Sequence, residues 1–246
     1  MKISKFSLYR DHAISCKLFT PDDGKAERII VGVHGFAGDK DSSMLYKLAE
    51  ETAGFGTALV CFDFPAHGES EADERYLTAE NCKNDLLAVT SWAKDNYPAA
   101  DKVIFATSFG GYISLLCAKE LEGFTYILRA PAVTMPKVLL DAVLKISPEK
   151  FKSLGTVECG FERKINLPYE FYEGLLRYDP MNAPYSQKML IIHGDLDDVV
   201  PYGDIKDFCG KHPDVRLTTV KGADHRFKNP GESDIIIGAV KDFLLA

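Results

Sequence analysis

The chain lacks the marks of several protein classes. No stretch reaches the roughly 18 consecutive apolar residues of a membrane-spanning helix. The N-terminal "MKISKFSLYRDHAISC" alternates and is broken by charge, without the apolar stretch of a signal peptide, so a cytoplasmic location is expected. There is no long basic run, and the formal net charge is −7. An acidic balance argues against nucleic acid or an anionic membrane as the main partner. Six cysteines (Cys16, Cys61, Cys82, Cys117, Cys159, Cys209) include no C-x-x-C pair, and several sit inside apolar patterns. Free thiols in a reducing compartment are expected. No clustered ligand set suggests zinc, so no metal is expected. Internal repeats and low-complexity tracts are also missing.

What is present is the balance of a globular protein with a sizeable core: 46% hydrophobic and 26% charged residues in 246. That length fits one large α/β domain with an insertion better than two independent domains. "ISKFSLYRD" and "AISCKLFTPDDG" read as a hairpin pair. "RIIVGVHG", "TALVCFDFP", "KVIFATS", "FTYILRAPA" and "KMLIIHGD" are short apolar runs of the kind found in strands buried on both faces. Helical patterns lie between them. Asp41 can cap the first and Gly54 can end it, and Thr78 opens a second that must stop near Pro98. "YGDIKDFCGKH", "VRLTTVKG" and "SDIIIGAVKDFLLA" complete the alternation. The expected fold is a mostly parallel sheet with helices on both faces. Residues 1–132 and 188–246 form its core. Residues 133–187 interrupt the pattern: "MPKVLLDAVLKI" looks helical, and the rest is irregular and aromatic, as in a lid or cap insertion.

"IFATSFGGY" (104–112) sets Ser108 where a strand runs into a helix. That is the sheet edge where doubly wound folds bind ligands, and the helix start favours negative charge. A sharp turn there requires small residues two positions before and after the serine. Gly110 meets this, and Ala106 meets it with one methyl more than the usual glycine. Taken alone, an ordinary helix-capping serine explains the stretch equally well. A reactive hydroxyl needs a general base and a carboxylate that orients it. His225, in "GADHRF", follows the last strand. "HGDLDDVVP" offers Asp195, Asp197 and Asp198 before it. An oxyanion site needs two backbone donors. The N–H of Phe109 follows the serine, and the N–H of Phe36 follows an earlier strand in "VGVHGFAGDK".

Together, "HGFAG", "FDFPAHGES", "ATSFGG", "HGDLDDVVP" and "GADHRF" make the chain resemble the α/β-hydrolase fold serine hydrolases. Within them it is similar to small bacterial esterases that include cinnamoyl and feruloyl esterases, and to neighbouring monoacylglycerol lipase and serine aminopeptidase-like groups. The resemblance covers residue 28 or so onward, except the insertion. It implies that Asp197 is the catalytic acid, with Ser108 as nucleophile and His225 as base, and that 133–187 is a lid. Its aromatics Phe161, Tyr169, Phe171 and Tyr172 are candidates to line an acyl or aryl pocket, or else to form the lid's own core. His34, His67 and His193 read as local structural groups. The implied activity is hydrolysis of carboxylic esters of small to medium acyl or aryl-acyl groups through an acyl-serine, without a cofactor. A peptidase or thioesterase on the same triad is the alternative, and a non-catalytic binding protein of this fold a remote one. The expected partner is a small-molecule ester, and a homodimer is permitted.

Overall fold

The structure is a computed structural model that describes residues 1–160 and 163–245. Eight strands form one sheet in the order β1-β2-β4-β3-β5-β6-β9-β10. They are β1 (Lys2–Tyr9), β2 (Ala13–Thr20), β3 (Arg28–Val33), β4 (Thr57–Phe62), β5 (Asp101–Thr107), β6 (Thr125–Arg129), β9 (Met189–Gly194) and β10 (Arg216–Val220). β1 pairs antiparallel with β2, and β2 antiparallel with β4; the pairings from β4 through β10 are all parallel. The apolar runs belong to the parallel strands because both of their faces are covered. β4 and β9 are buried along their whole length.

One face packs α1 (Ser43–Ala53) and α8 (Glu232–Leu245) through Leu45, Leu48, Ile236 and Val240. The other packs α2 (Ala79–Asn96), α3 (Phe109–Leu116) and α7 (Tyr202–Lys211) through residues such as Leu86, Tyr112 and Phe208. α1 is capped by Ser42, whose Oγ accepts the Leu45 N–H, and not by Asp41. Asp41 instead pairs with Lys17 and Lys40. Thr78 does cap α2, which ends at Asn96, two residues short of Pro98.

The segment 133–187 lies between β6 and β9. It holds α4 (Met135–Val138), a π-helical turn (Leu139–Leu144), α5 (Pro148–Leu154), a two-stranded hairpin of β7 (Thr156–Cys159) and β8 (Ile165–Pro168), and α6 (Tyr169–Leu175). The stretch read as one helix thus changes winding at Leu139. The hairpin escaped the sequence reading because each strand is only four residues long. Arg163 ties this segment to the core: its guanidinium donates to the carbonyls of His67, Gly68 and Ser70 at 3.2, 3.0 and 2.8 Å.

Strand order sets where a site can form. The chain goes from β3 outward to β4, then crosses to β5 on β3's other side. The sheet therefore changes direction between β3 and β5, and the loops leaving these two strands diverge around a crevice. Val33 is paired with Ala106, and Thr107 with Arg129, so the strands end level with one another.

Candidate active site

Ser108 is the first residue after β5. Its backbone is strained, with φ 51° and ψ −114°, a conformation that costs on the order of 1–3 kcal/mol for a residue with a Cβ. Both sides of the turn are held. The Ser108 N–H donates to the Arg129 carbonyl at 2.9 Å, and its carbonyl accepts from Tyr112 and Ala132. A Cβ on Gly110 would lie 2.5 Å from the His34 carbonyl oxygen. Glycine is therefore required there, where α3 starts across the end of β3. Ala106 is fully buried, and its methyl belongs to the apolar core on the face of the sheet covered by α2 and α3.

The serine occupies the N-cap position of α3, yet its side chain makes no capping bond. Its Oγ lies 3.1 Å from His225 Nε2. His225 Nδ1 lies 2.8 Å from Asp197 Oδ2. Asp197 Oδ1 accepts the N–H groups of Val199 and Val200 at 2.9 and 2.7 Å. Burial acts to raise the Asp197 carboxyl, but the hydrogen bond and charge of His225 and the two backbone donors outweigh it, and the carboxyl sits below its usual range. With Asp197 ionised, Nδ1 of His225 carries the proton and Nε2 faces Ser108 as acceptor. The other two aspartates point elsewhere. Asp195 accepts the Gly222 N–H at 2.6 Å, and Asp198 is exposed.

The loop after β3 approaches the serine from the other side. A Cβ on Gly35 would sit 3.3 Å from Ser108 Cβ. His34 organises this loop. Its Nε2 accepts the Phe64 N–H at 3.0 Å, so Nδ1 bears the hydrogen and donates to the Gly35 carbonyl at 2.8 Å. Gly38 N–H donates to the same carbonyl. In a trans peptide the N–H points opposite to the C=O, so clamping the Gly35 carbonyl orients the Phe36 N–H. Among the described residues, neither the Phe36 nor the Phe109 N–H donates to another group. The Phe36 ring packs on His67, Phe109 and Phe171, which joins the loop to α3 and α6.

A buried ion cluster lies behind the loop. Lys40 Nζ, fully enclosed, contacts Asp63 at 2.9 Å and Glu69 at 2.7 Å. Burial opposes the Lys40 charge, but the bonds to Glu69 and Asp63 prevail and raise its pKa. Asp63 also accepts the backbone N–H groups of Lys40 and Glu69. Removing it leaves a buried cation and two backbone donors short of an acceptor. Asp63→Ala is expected to lower unfolding free energy by about 3–5 kcal/mol, read from urea denaturation. A loss below about 1 kcal/mol would mean that Glu69 and Asp41 suffice.

His34 and His67 are both pushed down by burial, His67 to about 3. The unfolded chain binds protons near pH 6.5 that the native state refuses. Stability from these two groups is therefore complete above about pH 6.5 and is lost as pH falls below it, for His67 down to about 3. Each contributes a slope of at most about 1.4 kcal/mol per pH unit. Denaturation at mildly acidic pH should give a lower free energy than at neutral pH, and His67→Gln should flatten the difference. An unchanged difference in that variant would remove His67 from this account.

Two cavities meet at Ser108 and His225. One, about 470 Å³, is lined by apolar residues of the 133–187 segment, including Met135, Val138, Ala142 and Val143, with Val199 opposite. Its lining residues Lys145, Glu158 and Lys164 are exposed. The other, about 370 Å³, lies toward α1 and includes Met44, Leu45 and Arg129. The described lining of neither cavity includes Tyr169, Phe171 or Tyr172. Phe171 is fully buried against Phe36 and Phe109, while Tyr169 and Tyr172 pack on Phe151. Tyr169 and Tyr172 thus pack within the segment, and Phe171 joins the segment to the main core. Phe161 lies outside the described residues. Arg129 and Arg226, which both border Ser108, were missed by sequence reasoning. The only signal for Arg226 was its place directly after His225. Arg129 stands at the end of an apolar strand, where an arginine is unremarkable until the neighbouring strands are known.

Among the described residues no group of three or more His, Cys, Asp or Glu could hold a metal ion. No described helix is long and apolar enough to cross a membrane.

This sheet, with the serine at the strained turn after β5 and the aspartate and histidine after β9 and β10, is an α/β-hydrolase fold. Residues 24–157 match the model of the serine aminopeptidase S33 family (Hydrolase_4), and the chain belongs to that family of hydrolases. Among solved structures, Est1E from Butyrivibrio proteoclasticus, with ferulic acid bound, superposes with a TM-score of 0.86 at 23% identity over 98% of both chains. The mitochondrial palmitoyl-protein thioesterase ABHD10 of Rattus norvegicus is 19% identical over 87% of this chain and 74% of its own length. An uncharacterized 31.7 kDa protein of Escherichia coli, from the traX-finO intergenic region, is 24% identical over 82% of this chain and 71% of its own.

Proposed function

We propose that the protein hydrolyses carboxylic esters of small to medium acyl or aryl-acyl groups through an acyl-serine. The observation that carries this reading is the strained Ser108 with its Oγ 3.1 Å from a histidine that is itself 2.8 Å from a buried carboxylate. His225 Nε2 takes the Ser108 proton as Oγ attacks the ester carbonyl carbon. Asp197 keeps Nδ1 protonated and stabilises the imidazolium. The N–H groups of Phe36 and Phe109 receive the negative charge that develops on the carbonyl oxygen. Collapse of this intermediate breaks the bond to the alcohol oxygen, which takes the proton from His225. Water then enters, His225 removes its proton, and the acyl-serine bond breaks to give the acid and free Ser108. The acyl group occupies the apolar cavity beneath residues 135–144, with 133–187 as a lid. No cofactor takes part.

A thioesterase is the second reading. It is favoured by the similarity to a palmitoyl-protein thioesterase and by the apolar cavity, and the same groups would serve a thiolate leaving group. Cleavage next to a free amino terminus is less well supported, because Arg129 and Arg226 at the site would repel an ammonium group. Labelling by a fluorophosphonate probe tests the reactive serine. A panel of p-nitrophenyl esters, methyl ferulate, acyl-coenzyme A and aminoacyl anilides tests the leaving group. Labelling together with ester turnover supports the proposal, while failure to label would revive a binding protein without catalysis.

A further inference from the structure

We infer that the cavity on the α1 side of Ser108 receives a negatively charged leaving group, so that the preferred substrates are esters or thioesters whose alcohol or thiol part carries a carboxylate or phosphate close to the scissile bond. This inference rests on the hydrolase reading of Ser108 given above.

The two cavities at the serine differ in chemistry. The one under residues 135–144 suits an apolar acyl group. The one toward α1 has Arg129 and Arg226 in its lining and a single carboxylate, Asp39, among its described lining residues. The Asp39 carboxylate already accepts the Asp41 N–H at 2.8 Å.

Arg129 is held there by the fold. Its backbone carbonyl accepts the Ser108 N–H, so its Cα neighbours the serine. One terminal nitrogen of its guanidinium donates to the Arg226 carbonyl at 2.7 Å, and the group lies over the Phe227 ring, 4.6 Å from its centroid. Nε is buried without a hydrogen-bond partner. No described carboxylate pairs with it. Asp197 and Asp224 act on it only through space, and burial pushes its pKa down to about 10. A partly buried guanidinium with an unpartnered Nε and no carboxylate in contact is unfavourable, and an anion entering the cavity would offset that. The N-terminus of α1, at Ser42, Ser43 and Met44, opens onto the same cavity and has no acidic residue in its first turn. His225 also borders the cavity, so a leaving group seated there is within reach of the imidazole that protonates it.

A structural reading of Arg129, as a brace for the 225–227 loop, predicts loss of activity without regard to substrate charge. The test is therefore a ratio measured within each variant: kcat/KM for 3-acetoxybenzoate and 3-acetoxyphenylphosphonate, each over neutral 3-acetoxybenzamide. The wild type is expected to favour the anionic esters by about tenfold or more at low salt. The preference should shrink at roughly 1 M salt, where screening is strong. In the double variant Arg129→Gln, Arg226→Gln the ratio should fall to about one or below, and Arg226→Lys should keep part of it. The carboxylate and phosphonate arms identify which anion is taken. Mono-4-nitrophenyl succinate compared with 4-nitrophenyl butyrate puts the charge on the acyl side, where no preference is expected. A wild-type ratio near one, a ratio that survives in the double variant, or an equal preference for acyl-side charge would overturn the inference. The wild-type ratio and its salt dependence decide the matter even if the double variant does not fold. Absence of both ester turnover and fluorophosphonate labelling would overturn the hydrolase reading and this inference with it, whereas labelling with a ratio near one overturns the inference alone.

Discussion

Ser108→Ala is expected to lower kcat/KM on a carboxylic ester by roughly 10⁴–10⁶-fold and to abolish fluorophosphonate labelling, with the fold retained. The size follows from the geometry. The proposed attack has one nucleophilic atom, Oγ, placed 3.1 Å from the base. Without it, the N–H groups of Phe36 and Phe109 can still polarise a carbonyl, but no acyl-enzyme forms. Residual turnover would come from water in the same site. Stability should change little. The backbone strain at φ 51° is similar for alanine, and Oγ makes no capping bond whose loss would matter to α3. Circular dichroism and a thermal melt measured beside the kinetics separate chemistry from folding. Near-full activity in a folded Ser108→Ala protein would remove the serine from the mechanism.

Asp197→Asn should cost about 10³–10⁴-fold in kcat, although it changes a single atom type. The reason lies in the fixed orientation of the side chain. Oδ1 accepts two backbone N–H groups, from Val199 and Val200. An asparagine keeps its oxygen there and turns its NH₂ toward His225. Nδ1 must then accept, the ring proton moves to Nε2, and the imidazole presents a hydrogen to Ser108 where a lone pair is needed. The expected signature is a large fall in kcat with a small change in KM. Nitrogen NMR of the ring should report the Nε2–H tautomer. A loss below tenfold would mean that the base is oriented by another group.

Much of the site could be read along the chain because its chemistry is tied to strand ends, and strand ends carry strong local signals. An apolar run followed by A-x-S-x-G announces a tight turn, and the glycines of "HGFAG" announce a loop that approaches it. The three aspartates of "HGDLDDVVP" illustrate the limit. All lie within four residues, and their spacing alone leaves them equivalent. Their roles diverge only because the Val199 and Val200 N–H groups and the His225 ring converge on Asp197, while Gly222 captures Asp195. Tyr169, Phe171 and Tyr172 were harder still. An aromatic residue in an irregular segment serves equally as pocket wall or as core. What makes Phe171 core is the position of Phe36 and Phe109, both distant in the chain.

From sequence alone came the class of fold, the parallel strands, and a serine, a group of three aspartates and a histidine at the ends of β5, β9 and β10, because these depend on local pattern and chain order. Tertiary structure decided which peptide His34 clamps, why Lys40 can be buried, and how Arg129 comes to stand beside Ser108. Each of these depends on which strand ends lie side by side, and that is set by the order of the sheet. The order 4-3-5-6-9 is a property of packing, and it sets β6 and its terminal arginine next to the strand that carries the serine.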